Sequence, residues 1–147
     1  MTGTIPDALG NATALEDLAL SFNQLTGPIP SSLLALSSFR MISLWNNQLN
    51  GTIPEFRLNT RIFRLYLNEN QLVGTIPESL FTQTKLESLW LNSNKLTGTL
   101  STKIGRLRSL ENMNFTSNDL IGGIPTEVGL LKRLEQLYVK GNRLTGT

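Results

Sequence analysis

One asparagine recurs along this chain like marks on a ruler, at Asn23, Asn47, Asn70, Asn94, Asn118 and Asn142. The intervals are 24, 23, 24, 24 and 24 residues. A unit this short cannot bury a core alone, so a fixed period along all 147 residues implies copies stacked on their neighbours. Each unit reads L-x-x-L-x-L-x-x-N-x-L-x-G-x-I-P and then continues through a segment rich in Leu and Gly. Units begin at Leu15, Phe39, Ile62, Leu86, Leu110 and Leu134. The chain 1–147 therefore reads as a single array of whole units 15–38, 39–61, 62–85, 86–109 and 110–133, flanked by partial units 1–14 and 134–147. Unit 39–61 loses a residue within "EFRLNTR", and unit 86–109 carries Ser101 where the others carry Pro.

The constant residues answer backbone demands. L-x-L alternates as a half-buried strand does, so Leu65 and Leu67 turn inward and Tyr66 outward. One such strand per unit, always entered from the same side, builds a parallel sheet, and the rest of the unit supplies the crossover. The recurring Asn sits where the chain leaves the strand and turns inward. Its carboxamide carries both donors and an acceptor for the backbone groups that such a turn would strand. These Asn residues read as a structural ladder. Gly27, Gly51, Gly74, Gly98, Gly122 and Gly146 suit a tight, positive-φ corner, and Pro after Ile ends pairing of a short second strand.

The unit resembles the leucine-rich repeat, and its L-T-G-x-I-P segment resembles the plant-type subclass. That subclass fills the ectodomains of receptor-like kinases, receptor-like proteins and polygalacturonase-inhibiting proteins, and the resemblance covers the entire chain. It implies a β-rich α/β-type solenoid, a right-handed superhelix with a parallel sheet on the concave face. Short second strands and 3₁₀ turns are implied on the convex side. Members of the subclass usually end in Cys-bearing caps, whereas this chain opens and closes mid-unit without Cys. It reads as a slice of a longer array, or as an incomplete gene product starting at an internal Met. Such a slice is expected to be marginally stable or to associate through its ends.

If the repeated letters build the coil, function lies in the letters that change. Equal positions on neighbouring strands form rows about 4.7–4.9 Å apart. One outward row runs Ala19, Ser43, Tyr66, Trp90, Asn114, Tyr138, and another Ser21, Trp45, Asn68, Asn92, Thr116, Lys140. Asp17, Met41, Arg64, Ser88, Asn112 and Gln136 flank them, and Phe22, Asn46, Glu69, Ser93 and Ser117 follow. Tyr66 and Trp90 should be neighbours, with Trp45 on a diagonal. Trp, Tyr and Arg are favoured at binding hot spots, so Trp45, Arg64, Tyr66, Asn68, Glu69, Trp90, Asn92, Asn114, Tyr138 and Lys140 are the candidate ligand-binding residues. The competing account is cross-strand packing that merely stiffens the sheet. In receptor-like members of the resembled family the inner surface is often where ligands dock.

Acidic Glu16, Glu87, Glu111 and Glu135 recur beside basic Lys85, Arg106, Arg108, Lys132 and Arg133. Interleaved signs of this kind read as a solvated salt-bridge edge. Asn11, Asn50 and Asn114 head N-x-S/T sequons and are candidate glycosylation sites. A glycan on Asn114 would split the binding strip, so those two roles compete.

Composition excludes more than it proposes. The chain has no His and no Cys, which removes His-dependent nucleophilic triads, His/Cys zinc sites and disulfides. Glu69 and Arg64 lack a second carboxylate for acid–base work. The Gly residues follow the period instead of clustering into a phosphate loop. Net charge is +2 with scattered basic residues, so a nucleic-acid footprint is not indicated. No apolar run approaches the length of a membrane span. The expectation is a non-enzymatic recognition module without cofactor or metal. Its best reading is part of a cell-surface, signalling receptor ectodomain at the extracellular side of the plasma membrane, or secreted. It would bind a peptide, glycan or protein, with a partner ectodomain as a further candidate. The alternatives are a secreted inhibitor of a wall-degrading enzyme and a cytoplasmic scaffold.

Overall fold

The computed structural model describes residues 1–57 and 61–146. Six strands, Asp17–Ala19, Met41–Ser43, Arg64–Tyr66, Ser88–Trp90, Asn112–Asn114 and Gln136–Tyr138, pair in chain order as one parallel sheet on the concave face. Register follows the period. Ala19 pairs with Ser43, Ser43 with Tyr66, Tyr66 with Trp90, Trp90 with Asn114, and Asn114 with Tyr138.

The inward residues make stacked rows. Leu18, Ile42, Leu65, Leu89 and Met113 form one, Leu44, Leu67, Leu91 and Phe115 a second, and Leu25, Leu49, Leu72, Leu96 and Leu120 a third. All belong to one buried cluster, and each fully buried side chain of this size contributes about 1.5–3 kcal/mol. In the last coil Leu134, Leu137, Val139 and Leu144 are only half-buried against it.

The asparagines lie between coils. Asn94 Oδ1 accepts the Leu72 N–H of the preceding coil at 3.0 Å, and its Nδ2 donates to Leu67 O at 3.0 Å and Leu91 O at 3.1 Å. Asn47, Asn70, Asn118 and Asn142 repeat the pattern with their own neighbours. Each carboxamide thus ties two coils and supplies partners for backbone groups that neither helix nor sheet reaches.

Short second strands follow each Asn. Thr2–Thr4, Gln24–Pro28 and Gln48–Asn50 pair in parallel, as do Val73–Gly74 with Lys95–Leu96 and Ile121–Gly122 with Arg143–Leu144. Bridges at Thr52–Val73 and Thr99–Ile121 connect the pieces into one lateral ribbon. Gly98, in this ribbon, has φ +81°, and a Cβ there would lie 2.8 Å from the Thr75 Cγ2 of the coil before it. Both the corner and the stacking therefore require glycine.

Short turns follow the second strands. Among the described residues four are 3₁₀, at Asp7–Asn11, Glu78–Thr82, Thr102–Arg106 and Thr126–Leu130, and Ser31–Leu34 is a single α-turn. Pro6, Pro30, Pro77 and Pro125 start four of these five turns without a side-chain cap. Ser101 starts the fifth at the same backbone angle (φ −69°), and its Oγ accepts the Lys103 N–H at 3.2 Å. A capping hydroxyl thus replaces proline's fixed φ. The shortened segment "EFRLNTR" falls partly on residues 58–60, outside the described residues.

Candidate functional site

The aromatic side chains meet where the middle coils stack. Tyr66 and Trp90, paired in register, pack edge to face with ring centroids 5.7 Å apart and 70° between planes. Trp45 sits one coil earlier, held edge-on by Phe22 at 4.1 Å. Together with Asn68, Glu69 and Asn92, these three rings line a notch of about 230 Å³.

The notch floor is polar. Glu69 Oε2 accepts Asn46 Nδ2 at 2.8 Å, and Oε1 accepts Asn68 Nδ2 at 3.4 Å. Asn68 was expected to project outward, yet it is only 3 % exposed. Its Oδ1 and that of Asn92 are shielded from solvent and have no hydrogen-bond partner among the described residues. An unpaired polar atom in such a place costs about 1–3 kcal/mol.

Several candidates lie elsewhere. Arg64 lines a separate depression with Asp17, Arg40, Met41, Phe63 and Glu87. Tyr138 is 48 % exposed and stands two strands beyond Trp90, with Asn114 between them. Lys140 follows on the same far coil and does not reach the notch. Asn114 is half-buried, and its Oδ1 accepts the Thr116 N–H at 3.0 Å. Asn11 and Asn50, the other sequon residues, are exposed.

Charge pairing only partly follows the expected edge. Arg133 bonds Glu111, and Arg40 reaches Glu16 at 3.3 Å. Lys103–Glu78 at 2.9 Å and Arg143–Asp119 at 2.8 Å lie on other rows. The hydrogen bond from Lys103, followed by one from Ser101, holds the Glu78 carboxyl below its ordinary value. A wider hollow of about 610 Å³ lies on the convex side between Thr84, Lys103, Arg106, Arg108 and Glu127; among the described residues no buried unpaired side-chain atom belongs to its lining. Among the described residues no group of acidic residues could hold a metal ion, and no helix is long and apolar enough to cross a membrane.

Sequence reasoning missed one recurrent feature. Phe22, Asn46, Glu69, Ser93 and Ser117 all have φ near +55°, a left-handed conformation unfavourable to non-glycine residues. The signal was faint: Gly141 occupies the same place in the last coil. This turn carries the Glu69 carboxylate to the notch and swings the next residue, Asn70, inward.

The Leucine Rich Repeat family profile matches residues 14–36, 61–82 and 85–107. The ectodomain of the Arabidopsis receptor kinase SOBIR1 is 33 % identical, with TM-score 0.81, over 88 % of this chain and 72 % of its own. The chain belongs to the plant-type leucine-rich repeat family. This repeat array is also similar to the plant peptide hormone receptor RGFR1, solved in complex with RGF2. There the identity is 34 % and the TM-score 0.95, over 98 % of this chain but only 23 % of the receptor chain. A plant ice-binding protein is 30 % identical with TM-score 0.78, over 97 % of this chain and 54 % of its own. No curated protein matches the chain.

Proposed function

We propose that this leucine-rich repeat array is the recognition part of a cell-surface receptor, facing the extracellular side and binding a peptide or other partner on its concave face. The observation that carries this is the aromatic notch on the concave face: three rings and a carboxylate, lined also by two carboxamides whose oxygens are unpaired among the described residues. Packing alone accounts for Tyr66 against Trp90, but leaves Trp90 39 % exposed and the two oxygens unanswered. The likeness to a peptide hormone receptor supports the same reading. A tag placed in this segment of the full-length protein tests it, read by antibody or protease on intact cells. Access from outside is the expected result; access only after permeabilisation would overturn it in favour of a scaffold.

A second reading rests on the lateral ribbon. Thr2, Thr4, Thr26, Thr52, Thr75, Thr97, Thr99 and Thr145 are all exposed along it. The Cγ2 methyls of Thr4, Thr52, Thr75 and Thr99 lie over the glycine of the following coil. β-Branched side chains hold few rotamers, and strand spacing repeats at about 4.8 Å. The result is a threonine-rich, periodic surface, broken only by exposed Lys95 and Arg143 among its described strand residues. It suits a periodic ligand such as ice, and the likeness to an ice-binding protein supports it. Thermal hysteresis that disappears in Thr75→Lys/Thr97→Lys is the expected result under this reading; no hysteresis in the unaltered protein would end it.

A further inference from the structure

We propose that the notch between Trp45, Tyr66 and Trp90 receives an arginine side chain of the bound peptide or protein. This rests on the concave face being the recognition surface and specifies the chemistry of that surface.

Three observations converge on a cation. The walls are aromatic faces, with Trp45 braced by Phe22 and Tyr66 by Trp90, so the rings are ordered before any ligand arrives. A cation over such faces is attracted by their negative π-surfaces, and a planar guanidinium also stacks on them. The one charged residue lining the notch is Glu69. Its two hydrogen bonds, from Asn46 and Asn68, leave acceptor positions on the carboxylate unused. Finally, the two unpaired atoms of the lining carboxamides, Asn68 Oδ1 and Asn92 Oδ1, are acceptors, shielded as they stand and open to a donor only when the carboxamides turn toward it. The guanidinium has five N–H donors and no acceptor, which complements this set.

Size points the same way. A notch of about 230 Å³ is smaller than the roughly 300–1,000 Å³ of pockets that enclose drug-sized ligands, and suits one inserted side chain. A neutral sugar could use the indole and phenol donors of the walls, but it gains nothing from Glu69 as a charge. The guanidinium uses the walls and the carboxylate together.

The chain carries its own probe. Its two Trp residues are Trp45 and Trp90, and both line the notch, so intrinsic fluorescence reports directly on occupancy. The purified protein is titrated at low ionic strength with argininamide, with citrullinamide as the neutral isostere, and with a neutral oligosaccharide. The expected result is a saturable change with argininamide, at least about tenfold weaker with citrullinamide. Glu69→Gln should weaken argininamide by a similar factor, while Glu127→Gln on the convex side should not. No saturable response to argininamide, equal responses to both amides, preference for the oligosaccharide, or an unchanged Glu69→Gln variant would each overturn the proposal. A ligand held by other parts of the concave face would leave the receptor reading standing in that event. Conversely, a segment found inside cells would refute the receptor while leaving argininamide binding measurable.

Discussion

The Tyr66 ring stands edge-on to Trp90, 5.7 Å between centroids, at one register position of the parallel sheet. Leu65 and Leu89, the residues just before them, are fully buried beneath. Adjacent residues thus serve opposite purposes, and mutation should separate them.

Replacing Tyr66 and Trp90 together with Ala should cost the fold no more than about 2 kcal/mol, since the pair is partly exposed and its edge contact is worth about 0.5–1.5 kcal/mol. Leu89→Ala should cost about 2–5 kcal/mol, because it opens a cavity between coils. Urea unfolding midpoints of the two variants compare them directly.

Asn94→Ala should destabilise by about 2–4 kcal/mol, since it strands buried backbone groups on two coils. Amide hydrogen exchange gives the sharper reading. The Leu72 N–H, whose partner is Asn94 Oδ1, should lose protection ahead of the neighbouring strand amides.

Gly98→Ala should destabilise by about 1–2 kcal/mol or more, from the left-handed backbone alone, with the Thr75 methyl adding crowding. Gly129 sits in a turn with nothing within 4 Å of an added Cβ, so Gly129→Ala should stay within about 0.5 kcal/mol of the parent. Thermal melts under identical conditions distinguish the two.

Glu78 sets a pH dependence. Its folded pKa lies below the unperturbed 4.5, chiefly through the hydrogen bond from Lys103. The contribution to stability is therefore complete above 4.5 and is lost as pH falls through the lower folded value. Being exposed, the pair is worth at most about 1 kcal/mol. Glu78→Gln should lower stability at neutral pH by up to that amount and leave the acid end almost unaffected, so this limb of the stability–pH curve flattens.

The sequence disclosed the coil almost completely, because each repeated residue answers a local backbone need: Leu65 a core row, Asn70 a stranded turn, Gly74 a corner. The pairing of Tyr66 with Trp90 followed from counting along the period. What stayed hidden depended on side-chain packing between coils. Asn68 shares an outward position with Lys140, and only the notch shows that one is buried and the other exposed. The left-handed turn at Glu69 was hidden because Phe, Asn, Glu and Ser occupy it in the other coils, and a glycine marks it only at Gly141. Phe22 bracing Trp45 joins two different rows, which a reading row by row does not see.

Retention of secreted peptides on immobilised protein tests the central claim most directly. The parent, the Tyr66→Ala/Trp90→Ala variant and the lateral variant Thr97→Lys are compared, with mass spectrometry of what each retains. A concave-face receptor predicts that the aromatic variant loses the peptides held by the parent by at least about tenfold, while Thr97→Lys keeps them. Equal retention by the parent and the aromatic variant would contradict it, and would leave Tyr66 and Trp90 as packing on the sheet.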